Sequence, residues 1–229
     1  MNMKHTWKVA ALSGGILLFG FGTSSVVAST YSSEATIHFE TLVPEVKDPE
    51  TPTEPLDPNK DPEDGITEDS GLLTLDYVSS LNFGIHTISD TEETYESLNN
   101  RPFIQVSDRR GTGDGWQITA ELEEFKNGVS EEASLIGSSI TFANGEAVSP
   151  GGTTKPVAKD PVKVIAGGAA QPVLIADKGT GQGTWINRWF PKEPVGSTNN
   201  SVTLTVPAGT ATEGTHKAEI IWTLTDAPQ

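Results

Sequence analysis

The 229-residue chain has no cysteine, which excludes disulfides, thiol catalysis and thiolate metal sites together. Positive charge is scarce: 15 Lys and Arg stand against 31 Asp and Glu, for a formal net charge of −16. Phosphate binding needs a basic surface, so no nucleic-acid partner is expected, and adsorption to an anionic membrane is equally disfavoured. The apolar run at residues 9–22 is too short to span a bilayer, so no membrane span is expected in the mature chain. Gly-x-Ser-x-Gly, His-Glu-x-x-His and Ser-x-x-Lys are all missing. The carboxylates Asp108, Asp114 and Glu121 sit near turns or on a strand, yet nothing in the pattern marks two of them as a glycosidase pair. The chain is therefore not expected to be an enzyme, and no metal or cofactor is expected. It also has no Leu-Pro-x-Thr-Gly motif and ends at Ala227-Pro228-Gln229 without an apolar tail. If it stays on a cell, it is expected to be held there by binding.

What is present begins with a secretory signal over residues 1–28. Lys4 and Lys8 are basic, an apolar stretch follows, and Val26-Val27-Ala28 offers small residues for cleavage before Ser29. Within residues 29–43, Ala35-Thr36-Ile37-His38-Phe39-Glu40 alternates and reads as one short strand, on which His38 is a solvated strand residue. Residues 44–69 carry Pro44, Pro49, Pro52, Pro55, Pro58 and Pro62 among acids. Such a segment has little to bury and is expected to be a disordered, extended linker. Inside it, Asp57-x-Asn59-x-Asp61 with Glu68 resembles a calcium loop. Pro62 occupies the place where the sharp turn needs glycine, so calcium binding is not expected.

From residue 70 the pattern becomes strands and turns. Leu73, Leu75 and Tyr77 alternate; residues 82–88 and 103–107 read as further strands. His86 lies in the run 82–88 without other metal-ligating companions and reads as an ordinary strand histidine. Trp116, Ile118, Ala120 and Leu122 share one strand face, and so do Ala218, Ile220, Trp222 and Leu224. Two Trp-x-aliphatic triplets therefore stand far apart in the chain: Trp116-Gln117-Ile118 and Trp222-Thr223-Leu224. The loop Arg110-Gly111-Thr112-Gly113-Asp114-Gly115 precedes the first, and Lys178-Gly179-Thr180-Gly181-Gln182-Gly183 echoes it before Trp185. A strand follows each loop where a phosphate loop would lead into a helix, so tight turns are expected. Asn144-Gly145 is a hairpin signal. Trp185, Asn187 and Trp189 fall on one strand face with Ile186 and Phe190 on the other, which points either to burial on both faces or to an aromatic binding surface.

These segments taken together resemble the WxL domain, a family of surface proteins of low-GC Gram-positive bacteria. The resemblance rests on residues 71–77, Leu81-Asn82-Phe83-Gly84, residues 101–108, the Gly-Thr-Gly-x-Gly-Trp loop and Ile221-Trp222-Thr223-Leu224. It covers residues 70–229, with Ile118 where the first motif usually has Leu, a swap that keeps shape and apolarity. It implies non-covalent attachment to the cell wall through peptidoglycan or another wall glycan, and assembly with other surface proteins. An adhesin or structural subunit that binds proteins rather than glycan is the alternative. The fold expected is all-β, an antiparallel two-sheet sandwich or distorted barrel. Trp116 and Trp222 are expected in the core because aliphatic residues alternate with them. Trp185 and Trp189 are the candidate glycan contacts.

Overall fold

The structure is a computed structural model that describes residues 30–38, 43–130, 132–151, 154–192 and 196–226. Two units are separable, Met1–Phe39 and Glu40–Gln229. The signal expected over residues 1–28 lies outside the described residues. In the first unit residues 30–38 are exposed and form no strand, so the strand expected at residues 35–40 is absent across its described part. Among the described residues of that unit there is no strand for it to pair with, and a lone strand is not stable by itself.

The second unit is all-β. Its strands in chain order are β1 (Leu73–Val78), β2 (Glu93–Ser97), β3 (Phe103–Asp108), β4 (Trp116–Leu122), β5 (Lys126–Asn127), β6 (Ser139–Phe142) and β7 (Glu146–Val148). There follow β8 (Val157–Ala158), β9 (Val162–Ile165), β10 (Gln171–Ala176), β11 (Gly183–Arg188), β12 (Asn199–Val206), β13 (His216–Lys217) and β14 (Ile220–Asp226). They pair antiparallel into three four-stranded sheets, β1-β3-β11-β7, β14-β4-β10-β8 and β2-β12-β6-β9, plus the ribbon β13-β5. None of the sheets closes on itself. One hydrophobic core lies among the three, filled by Trp116, Ile118, Leu174, Phe142, Trp189 and Val202, among others.

Several local expectations change in three dimensions. Residues 82–88 form no strand; Gly84 takes φ 86° and the Asn82 side chain accepts from its N–H at 2.8 Å, which turns the chain. Asn144 has φ 59°, as a tight turn needs, but the strands it joins do not pair as a hairpin. β6 stays in one sheet and β7 crosses to another.

The largest correction concerns residues 44–69. Expected as a disordered linker, they lie against the outer face of the sheet β1-β3-β11-β7. Val46, Leu56 and Ile66 pack on Tyr77, Phe103, Ile186 and Val148 as a second, smaller core. Val46, which is buried, contributes about 1.5–3 kcal/mol, and the half-buried Leu56 and Ile66 contribute less. Tyr77 stacks on Phe103 with centroids 4.2 Å apart and donates to the Pro62 carbonyl at 2.8 Å. Burial, with Asp61 nearby, pushes its phenol up to about 12. Gln105, wholly buried, accepts from Lys47 N–H at 2.8 Å and donates to the Glu45 carbonyl at 3.1 Å. Two arginines hold the acids. Arg101 donates to Asp48 at 2.9 Å, Glu50 at 2.7 Å and Asp61 at 3.2 Å, and Arg188 donates to the Pro49 carbonyl at 2.7 Å. Both guanidinium groups also lie over the Phe190 ring, at 5.6 and 5.0 Å. Prolines and acids made the segment look unable to fold, but Val46, Leu56 and Ile66 and the acids Asp48, Glu50 and Asp61 find partners in distant parts of the chain.

Candidate functional site

The two Trp-x-aliphatic triplets meet. β14 pairs with β4 so that Leu224 lies opposite Ile118, Trp222 opposite Ala120 and Asp226 opposite Trp116. Directly opposed residues of an antiparallel pair share a face. Both tryptophans and both aliphatics therefore point inward, while the middle residues Gln117 and Thr223 point outward with Thr119, Glu121, Ile221 and Thr225. The two aliphatics sit side by side, and small Ala120 leaves room for the Trp222 ring.

Burial differs sharply between the triplets. β4 has neighbours on both sides, and Trp116 and Ile118 are both 0% exposed. β14 is an edge strand, and Trp222 and Leu224 are half-buried. Trp222 meets Phe142 edge-on at 5.8 Å and Trp189 at 6.0 Å, and Phe142 and Trp189 lie 4.9 Å apart. The expectation that β4 and β14 serve one core therefore holds.

The glycine loops explain how the indoles are seated. Trp116 Nε1 donates to the Gly181 carbonyl at 3.0 Å, and Trp185 Nε1 to the Gln182 carbonyl at 3.0 Å. The loops touch, Gly179 N–H donating to the Gly113 carbonyl at 2.8 Å. Gly181 has φ 72°, and an added Cβ would stand 2.4 Å from Ala176 Cβ and 2.9 Å from Trp116 Nε1, so only glycine fits. Arg110 secures the same end of the domain. It donates twice to the Asp108 carboxylate at 2.9 Å, once to the Gly115 carbonyl at 2.8 Å and once to Asp226, the residue opposite Trp116. These hydrogen bonds, Asp108 first, raise the affinity of the guanidinium for its proton.

Trp185 and Trp189, the candidate glycan contacts, do not reach the surface. They are 4% and 1% exposed. Their broken alternation reflects burial on both faces of β11, since Ile186 packs under residues 44–69 on the other side. Sequence reasoning had no signal for that cover. The carboxylates weighed for hydrolysis are separated by the fold: Asp108 is held by Arg110 on β3, and Glu121 projects from the outer face of β4 in another sheet. Among the described residues no group of three or more His, Asp or Glu is placed to hold a metal. In the calcium-like stretch, Asp57 accepts from Asn59 N–H at 3.0 Å and Asp61 is taken by Arg101. No helix among the described residues is long and apolar enough to cross a membrane.

Comparison with known proteins agrees with the paired motifs. A family model described as "WxL domain surface cell wall-binding" matches residues 26–228. No curated protein and no solved structure matched the chain. With both triplets in register on neighbouring strands and a family match over nearly its full length, the chain belongs to the WxL family of surface, cell-wall-binding domains.

Proposed function

We propose that the protein is exported, is cleaved before Ser29 and is retained non-covalently on a Gram-positive cell wall by binding peptidoglycan through residues 70–229. The match to a surface, cell-wall-binding family over residues 26–228 carries this reading. On this reading the domain acts as a binder without catalysis, and the tryptophan motifs build the domain whose surface does the binding. The test is retention of the mature protein on sacculi stripped of protein and teichoic acid. Binding to those sacculi, and release from whole cells by salt or denaturant without muralytic enzymes, are the expected results. Loss of binding once wall protein is removed would overturn the reading.

One observation favours a second reading, an adhesin or structural subunit that binds another surface protein. β14 pairs on one side only, with Ile221 39% exposed and Trp222 and Leu224 half-buried beside the open edge. Such an edge accepts an added strand through backbone hydrogen bonds. Ile221→Lys, which places a charge on that exposed edge strand, would then abolish capture of a partner while stripped sacculi remain unbound by the wild type.

A further inference from the structure

A cleft remote from the tryptophan motifs has the chemistry of a sugar site. It forms where residues 79–92 run as a loop into β2. The His86 imidazole stacks on Tyr95 with centroids 4.0 Å apart and bonds the Phe83 carbonyl through Nε2. Tyr95 is half-buried against the main core, so the stack is anchored to the sheet. Between this stack and the turn at Gly209 lies an open cleft of about 650 Å³ whose walls include Ile88, Ser89, Asp90 and Glu93. That volume is within the usual range of small-molecule sites, roughly 300–1,000 Å³.

The lining combines three properties. First, it is preorganised: Ser89 and Thr91 hydroxyls both donate to Glu93 Oε1, each at 3.0 Å, which fixes that carboxylate before any ligand arrives. Second, it offers apolar surface that the fold does not use. Ile88 in the wall is 60% exposed. A large aliphatic in an otherwise polar wall is costly to solvate and gains from a ligand with an apolar face. Third, its only charges are carboxylates. Asp90 is exposed and takes no hydrogen bond or ion pair from the described residues, and no Lys or Arg lines the cleft. Carboxylate oxygens accept from pairs of hydroxyls, whereas a phosphate polymer would meet like charge here and over the whole −16 chain.

We infer that this cleft is the glycan subsite of the domain and takes an uncharged, hydroxyl-rich oligosaccharide, its C–H face on Ile88 and the imidazole edge and its hydroxyls on Asp90 and Glu93. This rests on the wall-binding reading and adds to it where the sugar sits and which wall polymer is refused. The tryptophan motifs then hold the fold and take no direct part.

The experiment uses the mature full chain and two probes, sacculi stripped of protein and teichoic acid and a soluble N-acetylglucosamine oligomer, with polyglycerol phosphate as competitor. The variant is Asp90→Ala combined with Ile88→Ser; both side chains are exposed, and its melting is measured alongside. Glu93→Gln is a second variant that keeps the shape of the site, and Ile221→Thr on β14 is the control. The expected result is binding of both probes by wild type and by Ile221→Thr, no competition by polyglycerol phosphate, and a loss of at least about tenfold in the double variant with unchanged melting. Glu93→Gln should lie between. Wild-type binding by the double variant and by Glu93→Gln would place the glycan elsewhere and overturn the cleft while leaving wall binding intact. Competition by polyglycerol phosphate would overturn the ligand class. Failure of the wild type to bind either probe would overturn the wall-binding reading, and the cleft with it.

Discussion

The first and second tryptophan motifs share the Trp-x-aliphatic pattern and have opposite surroundings. Trp116 and Ile118 occupy a central strand, are shut off from solvent, and Trp116 has its indole N–H satisfied by a glycine carbonyl. Trp222 and Leu224 occupy the last strand, at a sheet edge, and remain half-buried. The same pattern is therefore a core block in one place and a flank in the other. Period-two alternation settles which way a side chain points, whereas the number of neighbouring strands settles how far it is buried.

That contrast makes Trp116→Ala the most damaging change. It should cost about 3–5 kcal/mol, because the cavity is fully enclosed and the Gly181 carbonyl loses its donor. Trp189→Ala should fall in the same range, being 1% exposed, and wall binding would be lost with the fold. Trp222→Ala should cost only about 2 kcal/mol, since part of the ring already faces water. Urea denaturation of the three variants measures the ordering. Equal losses for Trp116 and Trp222 would break the comparison between central and edge strands.

The glycine loops sharpen it further. Gly181→Ala forces a Cβ into Ala176 at a positive φ, and we expect about 2–4 kcal/mol. Gly179→Ala, with φ 84° but open space around it, should cost only backbone strain, about 1 kcal/mol. If both changes melt alike, the close seat of Trp116 against Gly181 is not what the glycine provides.

A milder effect is expected where residues 44–69 are held. Arg101→Ala removes the hydrogen bonds to Asp48, Glu50 and Asp61 and should cost about 1–3 kcal/mol. Its readout is earlier cutting by a Glu-specific protease at Glu50 or Glu54, while fragments from residue 70 onward persist. Unchanged cutting would mean that the apolar contacts of Val46, Leu56 and Ile66 suffice.

The smallest effect is in pH dependence. Burial raises the Asp76 carboxyl above its ordinary value, against the opposing hydrogen bonds from Ser107, Thr74 and Gln105. The folded state then holds this proton more tightly than the unfolded chain does. Stability from this group rises as pH falls through the raised folded value and levels off below the ordinary carboxylate range. Asp48 has the opposite sign. Burial alone would raise it, but the Thr51 and Glu50 N–H groups and Arg101 outweigh burial and lower it. Its contribution is complete above the ordinary value and is lost as pH falls through the lowered one. Urea midpoints of wild type and Asp76→Asn from neutral to acid pH separate the two, and the variant should lack the gain on mild acidification.

Much of this was readable in one dimension. The strands at residues 116–122 and 220–226 carry alternation that survives folding because each has one face on the core, whereas residues 103–108 are buried on both faces. The glycine loops read as turns, and they are turns. Other local signals were correct in kind but incomplete. Asn144 adopts the turn its type favours, yet the strands on either side pair elsewhere, because hairpin pairing also requires that neither strand has a better partner. Residues 82–88 alternate like a strand but find no partner strand; with Gly84 at positive φ they form a loop.

By itself, then, the sequence determined that the chain is all-β from residue 70, that two Trp-x-aliphatic triplets face inward, and that the family is WxL. These follow from alternation, turn chemistry and residue spacing, which are properties of neighbouring residues. Only the tertiary structure decided what covers each face. The second triplet ended at an edge because no further strand joins β14 among the described residues. Trp185 and Trp189 went inside, with Phe142 and Trp222 against Trp189 on the inner side of β11 and the acidic, proline-rich residues 44–69 over its outer side. That cover depends on Arg101 and Arg188, which lie 51 and 138 residues from Glu50 in the chain. Contacts across such separations are set by where the sheets bring charges together, and no local pattern encodes them.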